Sequence, residues 1–175
     1  MSELVKINYL KETDAEDLCC MMTSNADIFN RFFTKTLSQN KSVESSRLYI
    51  AKKAKEIERR LEFTYAIRHK DNRVIGLVIL KDIHWDTGAG ELAYCLDKHH
   101  QGKGIVSQSV KNISELAFEK LKLKKLKIFA HKSNIASIKV AEKTGFHWAQ
   151  TVSKAYQPPN EDSLDMEIYE LDYER

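Results

Sequence analysis

Proline and glycine are scarce in this 175-residue chain, with two of the first and six of the second. That scarcity excludes a flexible linker and a low-complexity segment. Cysteine is rare as well. Cys19, Cys20 and Cys95 form no CxxC pair and cannot all pair with one another. A disulfide framework is therefore not expected, and a reduced cytoplasmic protein is the simplest reading. No run of apolar residues is long enough to span a membrane. The start, "MSELVKINYLKETDAEDL", lacks the basic segment and apolar stretch of a secretory signal. The net charge of +3 is too small to indicate nucleic acid by itself.

What is present suits a single domain over residues 1–175, long enough for a substantial core. Charge is unevenly spread. "EKLKLKKLK" (119–127) is basic and "NEDSLDMEIYELDYE" (160–174) is acidic. The basic block reads either as a solvated helix end and strand start or as a polyanion contact.

Hydrophobic periodicity supplies the elements. "VKINYL" (5–10) predicts a strand, and "TDAEDLCCMMTSN" (13–25) a helix with Thr13 and Glu16 at capping-box spacing. "NADIFNRFF" (25–33) predicts a shorter helix. "SVESSRLYIAKKAKEIERRLEF" (42–63) predicts a long amphipathic one, with Leu48, Ala51, Ala54, Ile57 and Leu61 as its apolar stripe. "FTYAIRH" (63–69) and "RVIGLVILKDI" (73–83) flank the turn "KDN", which predicts an antiparallel hairpin whose second strand is buried on both faces. The turn "DTGAG" (86–90) leads to the strand "ELAYCL" (91–96). Then come a helix over 105–121 (Val106, Val110, Ile113, Ala117, Phe118 and Leu121 inward), the strand "KLKIFAH" (125–131) and a helix over 134–146 ended by Gly145. "HWAQTVSKAY" and "SLDMEIYEL" read as closing strands. The order predicts an α/β (α+β) fold: one mixed, mostly antiparallel sheet of about seven strands with helices on both faces.

The stretch "DKHHQGKGIVSQSV" (97–110) places two glycines between a strand and a helix start. Free N–H groups and the helix dipole favour an anion there, and glycine lets it approach closely. A plain tight turn would use the same residues, so both readings stay open on this stretch alone. The P-loop pattern GxxxxGK[ST] is absent. The dinucleotide fingerprint fails too, because Ser107 stands at the third glycine and Lys122 lies where an acidic residue is needed. His99 and His100 are adjacent and cannot share one metal as an i, i+4 pair would, so no metal is expected.

"QGKGIV" does resemble the Q/R-x-x-G-x-G/A loop of the GNAT superfamily of N-acetyltransferases, with Gln101 and Gly104 matching and Val106 replacing the small last residue. The resemblance runs over residues 90–148, through "NIAS" and "AEKTGF", and is closest to the RimJ/RimL-type branch, which acetylates N-terminal amines of ribosomal proteins. It implies a GNAT fold with a V-shaped splay between strands 91–96 and 125–131, and acetyl-CoA in the gap. It further implies that the pantetheine arm meets the backbone of Tyr94, Cys95 and Leu96. The pyrophosphate would lie on Gln101, Gly102, Lys103, Gly104, Ile105 and Val106, with Ser107 and Lys143 nearby.

Asn134 matches the asparagine that reaches the cofactor arm, and Ser137 the serine beside the thioester sulfur. Transfer is direct in such enzymes, so Cys95 needs no acyl-enzyme role. An N-terminal amine, with a pKa near 8, must lose a proton to attack, and Glu91 is the candidate base. A serine hydroxyl is a poor acid, so Ser137 is read as a hydrogen-bond donor to the sulfur. His131 is a weaker substrate contact, and "FNRFF" forms either an acceptor wall or core. The acceptor is a protein N-terminus or a small amine such as a polyamine or amino sugar. A non-catalytic coenzyme A-binding module is the competing class. No direct nucleic-acid or membrane partner is expected, and homodimers occur within the family.

Overall fold

Val74 to Leu80 is apolar throughout, and each of its side chains is buried. The run forms the first part of β3, Val74–His84, inside a seven-stranded mixed sheet. The structure is a computed structural model that describes residues 5–174. The sheet contains β1 (Lys6–Tyr9), β2 (Phe63–Arg68), β3, β4 (Ala89–Leu96), β5 (Lys125–Ala130), β6 (His147–Tyr156) and β7 (Leu164–Asp172), ordered β1-β2-β3-β4-β5-β7-β6. Among the described residues six α-helices accompany it: α1 (Ala15–Ser24), α2 (Ala26–Phe29), α3 (Thr34–Ser38), α4 (Val43–Glu58), α5 (Ile105–Glu119) and α6 (Ile135–Lys143). Among the described residues no helix is long and apolar enough to cross a membrane. The chain divides into two compact units, Met1–Ile79 with Tyr94–Ile105 and Leu80–Ala93 with Val106–Arg175.

In the first unit, β1 pairs antiparallel with β2 from Lys6↔Arg68 to Tyr9↔Tyr65. The β2–β3 turn closes through the His69 amide on the Arg73 carbonyl at 3.0 Å, with Asn72 in the left-handed region. Leu18, Met22, Phe29, Tyr49, Ile50, Leu77 and Cys95 form one buried cluster with their neighbours.

Two sequence expectations need correction here. The buried face of α4 is Ser46, Tyr49, Ile50 and Lys53, whereas Leu48 and Leu61 are 65% and 59% exposed. Tyr49 and Ile50 offer more apolar area than the alanines of the expected stripe. The polar members of their face are satisfied: Ser46 Oγ donates to Asn40 Oδ1, and the Lys53 ammonium meets Glu56 and Glu62. The Thr13–Glu16 capping box is not used either. Helix α1 begins at Ala15 behind a single 3-10 turn, and Asp14 takes the Lys11 amide at 2.7 Å.

Asp14 is diverted because it also faces Arg68. The guanidinium of Arg68 grips both carboxylate oxygens at 2.7 and 2.6 Å and is itself held by Asn8 Oδ1 and the Tyr9 and Asn72 carbonyls. Both partners are buried. A bidentate pair of this kind is directional and fully charged.

In the second unit, β5 pairs antiparallel with β7, and β7 with β6. β4 pairs parallel with β5 over Ala89–Glu91 and Lys125–Lys127. Val110, Ile113, Ala117 and Phe118 of α5 are buried as their spacing predicts, while Val106 and Leu121 are half-buried. Leu126, Ile128 and Ala130 alternate inward along β5. The basic block divides in two. Lys120, Lys122 and Lys124 are exposed, whereas Lys125 and Lys127 pair with Glu170, and Lys125 also with Asp172, across the β5–β7 register. The acidic segment thus neutralises part of the basic one.

Burial pushes the Asp14 carboxyl up, but the Arg68 hydrogen bonds, the Lys11 amide and the Arg68 charge together hold it below its ordinary value. A depressed folded pKa adds stability that is full above the unfolded value, near 3.8, and is lost as the pH falls toward the folded value. Asp14→Asn should cost about 3–5 kcal/mol at pH 7 by stranding Arg68. Urea unfolding at pH 7 and pH 3 checks both points, and the variant should differ less from wild type at pH 3.

Candidate active site

The loop after β4 owes its shape to two glycines. Gly102 and Gly104 have φ of +77° and +75°, a region that a Cβ disfavours. A Cβ built on either meets nothing within 4 Å, so backbone conformation and not crowding requires glycine. The space beside both is open to a bound group. Gln101 turns its Nε2 back toward the Leu96 carbonyl at 3.5 Å, and Lys103 is exposed. Helix α5 begins at Ile105, immediately after Gly104, and the first turn of an α-helix points its N–H groups toward whatever lies ahead of it. Val106 and Ser107 in that turn are half-buried.

Several expected cofactor contacts have only their backbone to offer. The side chains of Cys95, Leu96 and Ile105 are buried, while Tyr94 is half-buried. Burial pushes the Cys95 thiol up to about 12. Such a thiol stays protonated and is no nucleophile at neutral pH. Phe29 belongs to the core cluster of the first unit and Phe33 adjoins it, so "FNRFF" acts chiefly as core.

In the second unit, Asn134 is the N-cap of α6. Its Oδ1 accepts from the Ser137 amide at 3.2 Å, and its own amide donates to the His131 carbonyl at 2.8 Å. Asn134 and Ser137 are therefore brought together at one helix start, with the Asn134 Nδ2 left as its side-chain donor. His131 is buried, with Nδ1 accepting the Ser133 amide at 3.2 Å and 2.7 Å from Ser133 Oγ. Accepting from an amide leaves the neutral ring's proton on Nε2. Lys143 is exposed in the last turn of α6, about 9 Å along the axis from Ser137. The same helix does not bring it to the Ser137 end.

Glu91 lies early in β4 and is half-buried, with Lys81 Nζ at 3.2 Å from Oε1. Lys81 also lies 3.6 Å from Asp82 Oδ2. Asp82 has φ of +47°, uncommon for a residue with a Cβ. Burial raises the Glu91 pKa, the Lys81 charge and hydrogen bond oppose that rise, and Asp82 adds to it. A raised carboxylate is better matched to taking a proton near neutral pH. Neither Lys81 nor Asp82 emerges from sequence reasoning: Lys81 reaches Glu91 from the strand on the other side of the His84–Gly88 turn, and Asp82 meets the same lysine from the next position. Removing the lysine charge with Lys81→Met should move the Glu91 titration midpoint upward, and Asp82→Asn should move it downward. Carboxyl-carbon NMR across a pH series measures both.

The sequence model of the Acetyltransferase (GNAT) domain matches residues 5–147. The probable N-acetyltransferase YjcK of Bacillus subtilis is 32% identical over 145 residues, 82% of this chain and 80% of that protein. Mycobacterium smegmatis RimJ, solved in complex with CoA-disulfide, superposes with a TM-score of 0.89 at 12% identity, covering 98% of this chain and 83% of that one. An acetyl transferase from Salmonella typhimurium that modifies the N-terminal serine of ribosomal protein L7/L12 gives 0.84 at 22% identity, covering 97% and 95%. The fold is thus that of RimJ and its kin, and with the match running from β1 to the start of β6, the chain belongs to the GNAT acetyltransferase family.

Proposed function

We propose that the whole chain works as one cytoplasmic, acetyl-CoA-dependent N-acetyltransferase domain, and that its acceptor is the N-terminal amine of a protein or peptide. The observation that carries the cofactor reading is the pair of left-handed glycines with open space at their Cβ positions, directly ahead of α5. Amides of Gln101 to Val106 would hold the pyrophosphate, with the Ser107 hydroxyl and the Lys103 charge beside them. Backbone of Tyr94 to Leu96 would hold the pantetheine arm, and the Asn134 Nδ2 would donate to it. The preference for a protein acceptor is supported by the Salmonella relative and its N-terminal serine substrate.

The chemistry needs one base and one sulfur-side donor. The amine nitrogen attacks the thioester carbon, its proton passes toward Glu91, and the carbon–sulfur bond breaks to release the thiolate of coenzyme A. Ser137, fixed in the first turn of α6, would donate a hydrogen bond to that sulfur. No acyl-enzyme is involved, in keeping with the protonated Cys95 thiol. A small amine such as a polyamine or amino sugar is the second acceptor class.

Thiol release from acetyl-CoA, followed across peptides and small amines, tests the reading. Peptides with free N-termini should turn over fastest, and release stimulated by no amine would overturn it. Gly104→Val should weaken coenzyme A binding at least about tenfold, about 1.4 kcal/mol, by calorimetry. Ser137→Ala should lower kcat by roughly 100-fold, about 3 kcal/mol, while moving the Michaelis constant for acetyl-CoA much less. Glu91→Gln should also lower turnover by roughly 100-fold near neutral pH and leave acetyl-CoA affinity nearly intact.

A further inference from the structure

Asn25 stands at the C-terminal end of α1, fully buried, and no step of the chemistry above uses it. Its amide is saturated by three partners. Nδ2 donates to the Met21 carbonyl at 2.7 Å and to Asp97 Oδ2 at 2.8 Å, while Oδ1 accepts from the Lys98 amide at 2.9 Å. Asp97 is equally engaged. Its Oδ1 accepts from the His99 amide at 2.9 Å and lies 3.0 Å from His100 Nδ1. Its own amide donates to the Ile75 carbonyl at 2.8 Å, and its carbonyl accepts the His100 amide at 3.0 Å. Burial pushes the Asp97 carboxyl up, but the bonds from Asn25, His100 and the His99 amide outweigh it and hold the group ionised. The His100 ring then meets the His69 ring edge-on at 5.5 Å between centroids.

The residue types follow from the bonding. Asparagine has two donors and one acceptor oxygen, and here every one is directed. Aspartate at position 25 would set a carboxylate against the Met21 carbonyl and against Asp97. A leucine there would strand a helix-terminal carbonyl, a loop amide and a carboxylate oxygen. Asp97 closes β4 and opens the segment that reaches Gly102 and Gly104.

We propose that Asn25 and Asp97 are positioning residues: they clamp the start of the glycine loop to α1, so that the loop has its binding shape before coenzyme A arrives. The proposal rests on reading that loop as the pyrophosphate site. A loop ordered in advance loses less entropy on binding, so the clamp acts on affinity and not on the chemical step.

Asn25→Ala and Asp97→Asn in the full chain test it. An asparagine at position 97 has one acceptor oxygen where the carboxylate has two, so it cannot serve both Asn25 and the His99 amide. Without cofactor, the amides of Lys98, His99 and His100 should exchange hydrogen at least about tenfold faster than in wild type, with amides of β7 unchanged. The Kd for coenzyme A and the Michaelis constant for acetyl-CoA should both rise at least about fivefold, while kcat at saturation stays within about twofold. Unaltered exchange at these amides in both variants overturns the clamp. Faster exchange with unaltered Kd, or a fall confined to kcat, overturns its role in binding. If wild-type protein binds no coenzyme A, the functional reading fails, and the exchange result still decides the clamp. Should Asn25→Ala fail to fold, Asp97→Asn carries both measurements, since the Asp97 side chain keeps 15% exposure.

Discussion

The bidentate contact of Arg68 with Asp14 is the constraint on which the first unit depends. Two buried charges are costly unless each hydrogen-bonding direction is used, and here the carboxylate oxygens, Asn8 and two carbonyls absorb the guanidinium donors. The pair ties the end of β2 to the start of α1 and so sets where that helix begins. From there α1 runs as far as Ser24, with Leu18, Met21 and Met22 buried, and Asn25 follows it beside Asp97. A salt bridge at one end of a ten-residue helix thereby determines what stands at the other. Helix geometry, a rise of about 1.5 Å per residue with fixed rotation, carries that determination.

The second unit is built on a different economy. Lys81, Asp82 and Glu91 share one charge cluster, and Lys125 and Lys127 share Glu170. Asp82 is exposed and the other groups are half-buried, so each interaction has moderate strength and each remains reachable by solvent. That intermediate burial is what a proton acceptor needs. A fully buried carboxylate would stay protonated or stay paired, and a fully exposed one would titrate too low. Asn134 contributes a rigid element of another kind, since one cap bond fixes its own side chain and the start of α6 together.

Patterns of period and punctuation were legible in the sequence. The strand β3 follows from an apolar run, α5 from its stripe, the end of α6 from Gly145 at φ +90°, and the glycine loop from two glycines that both adopt left-handed backbone. These features are local, so the neighbouring residues contain the cause. The face of α4 is not legible from its period, because a stripe of leucine and alanine offers less apolar area than the neighbouring Tyr49 and Ile50. The helix turned instead on Tyr49 and Ile50, with Ser46 and Lys53 made tolerable by partners elsewhere in the unit. The spacing of Thr13 and Glu16 likewise matched a capping box, but Asp14 was claimed by an arginine 54 positions away.

The sequence by itself thus determined the order of the strands and of the longer helices, the glycine loop and the family, because each is written in residues close together along the chain; the short α3 was not among them. Only the tertiary structure decided which charged and polar groups meet. Asn25 with Asp97, Lys81 with Glu91, and Arg68 with Asp14 are pairings across sequence distances that no period records. Their physical reason is shared. A buried polar group must find a partner wherever the fold brings one, and the fold settles first the large apolar areas that dominate its free energy.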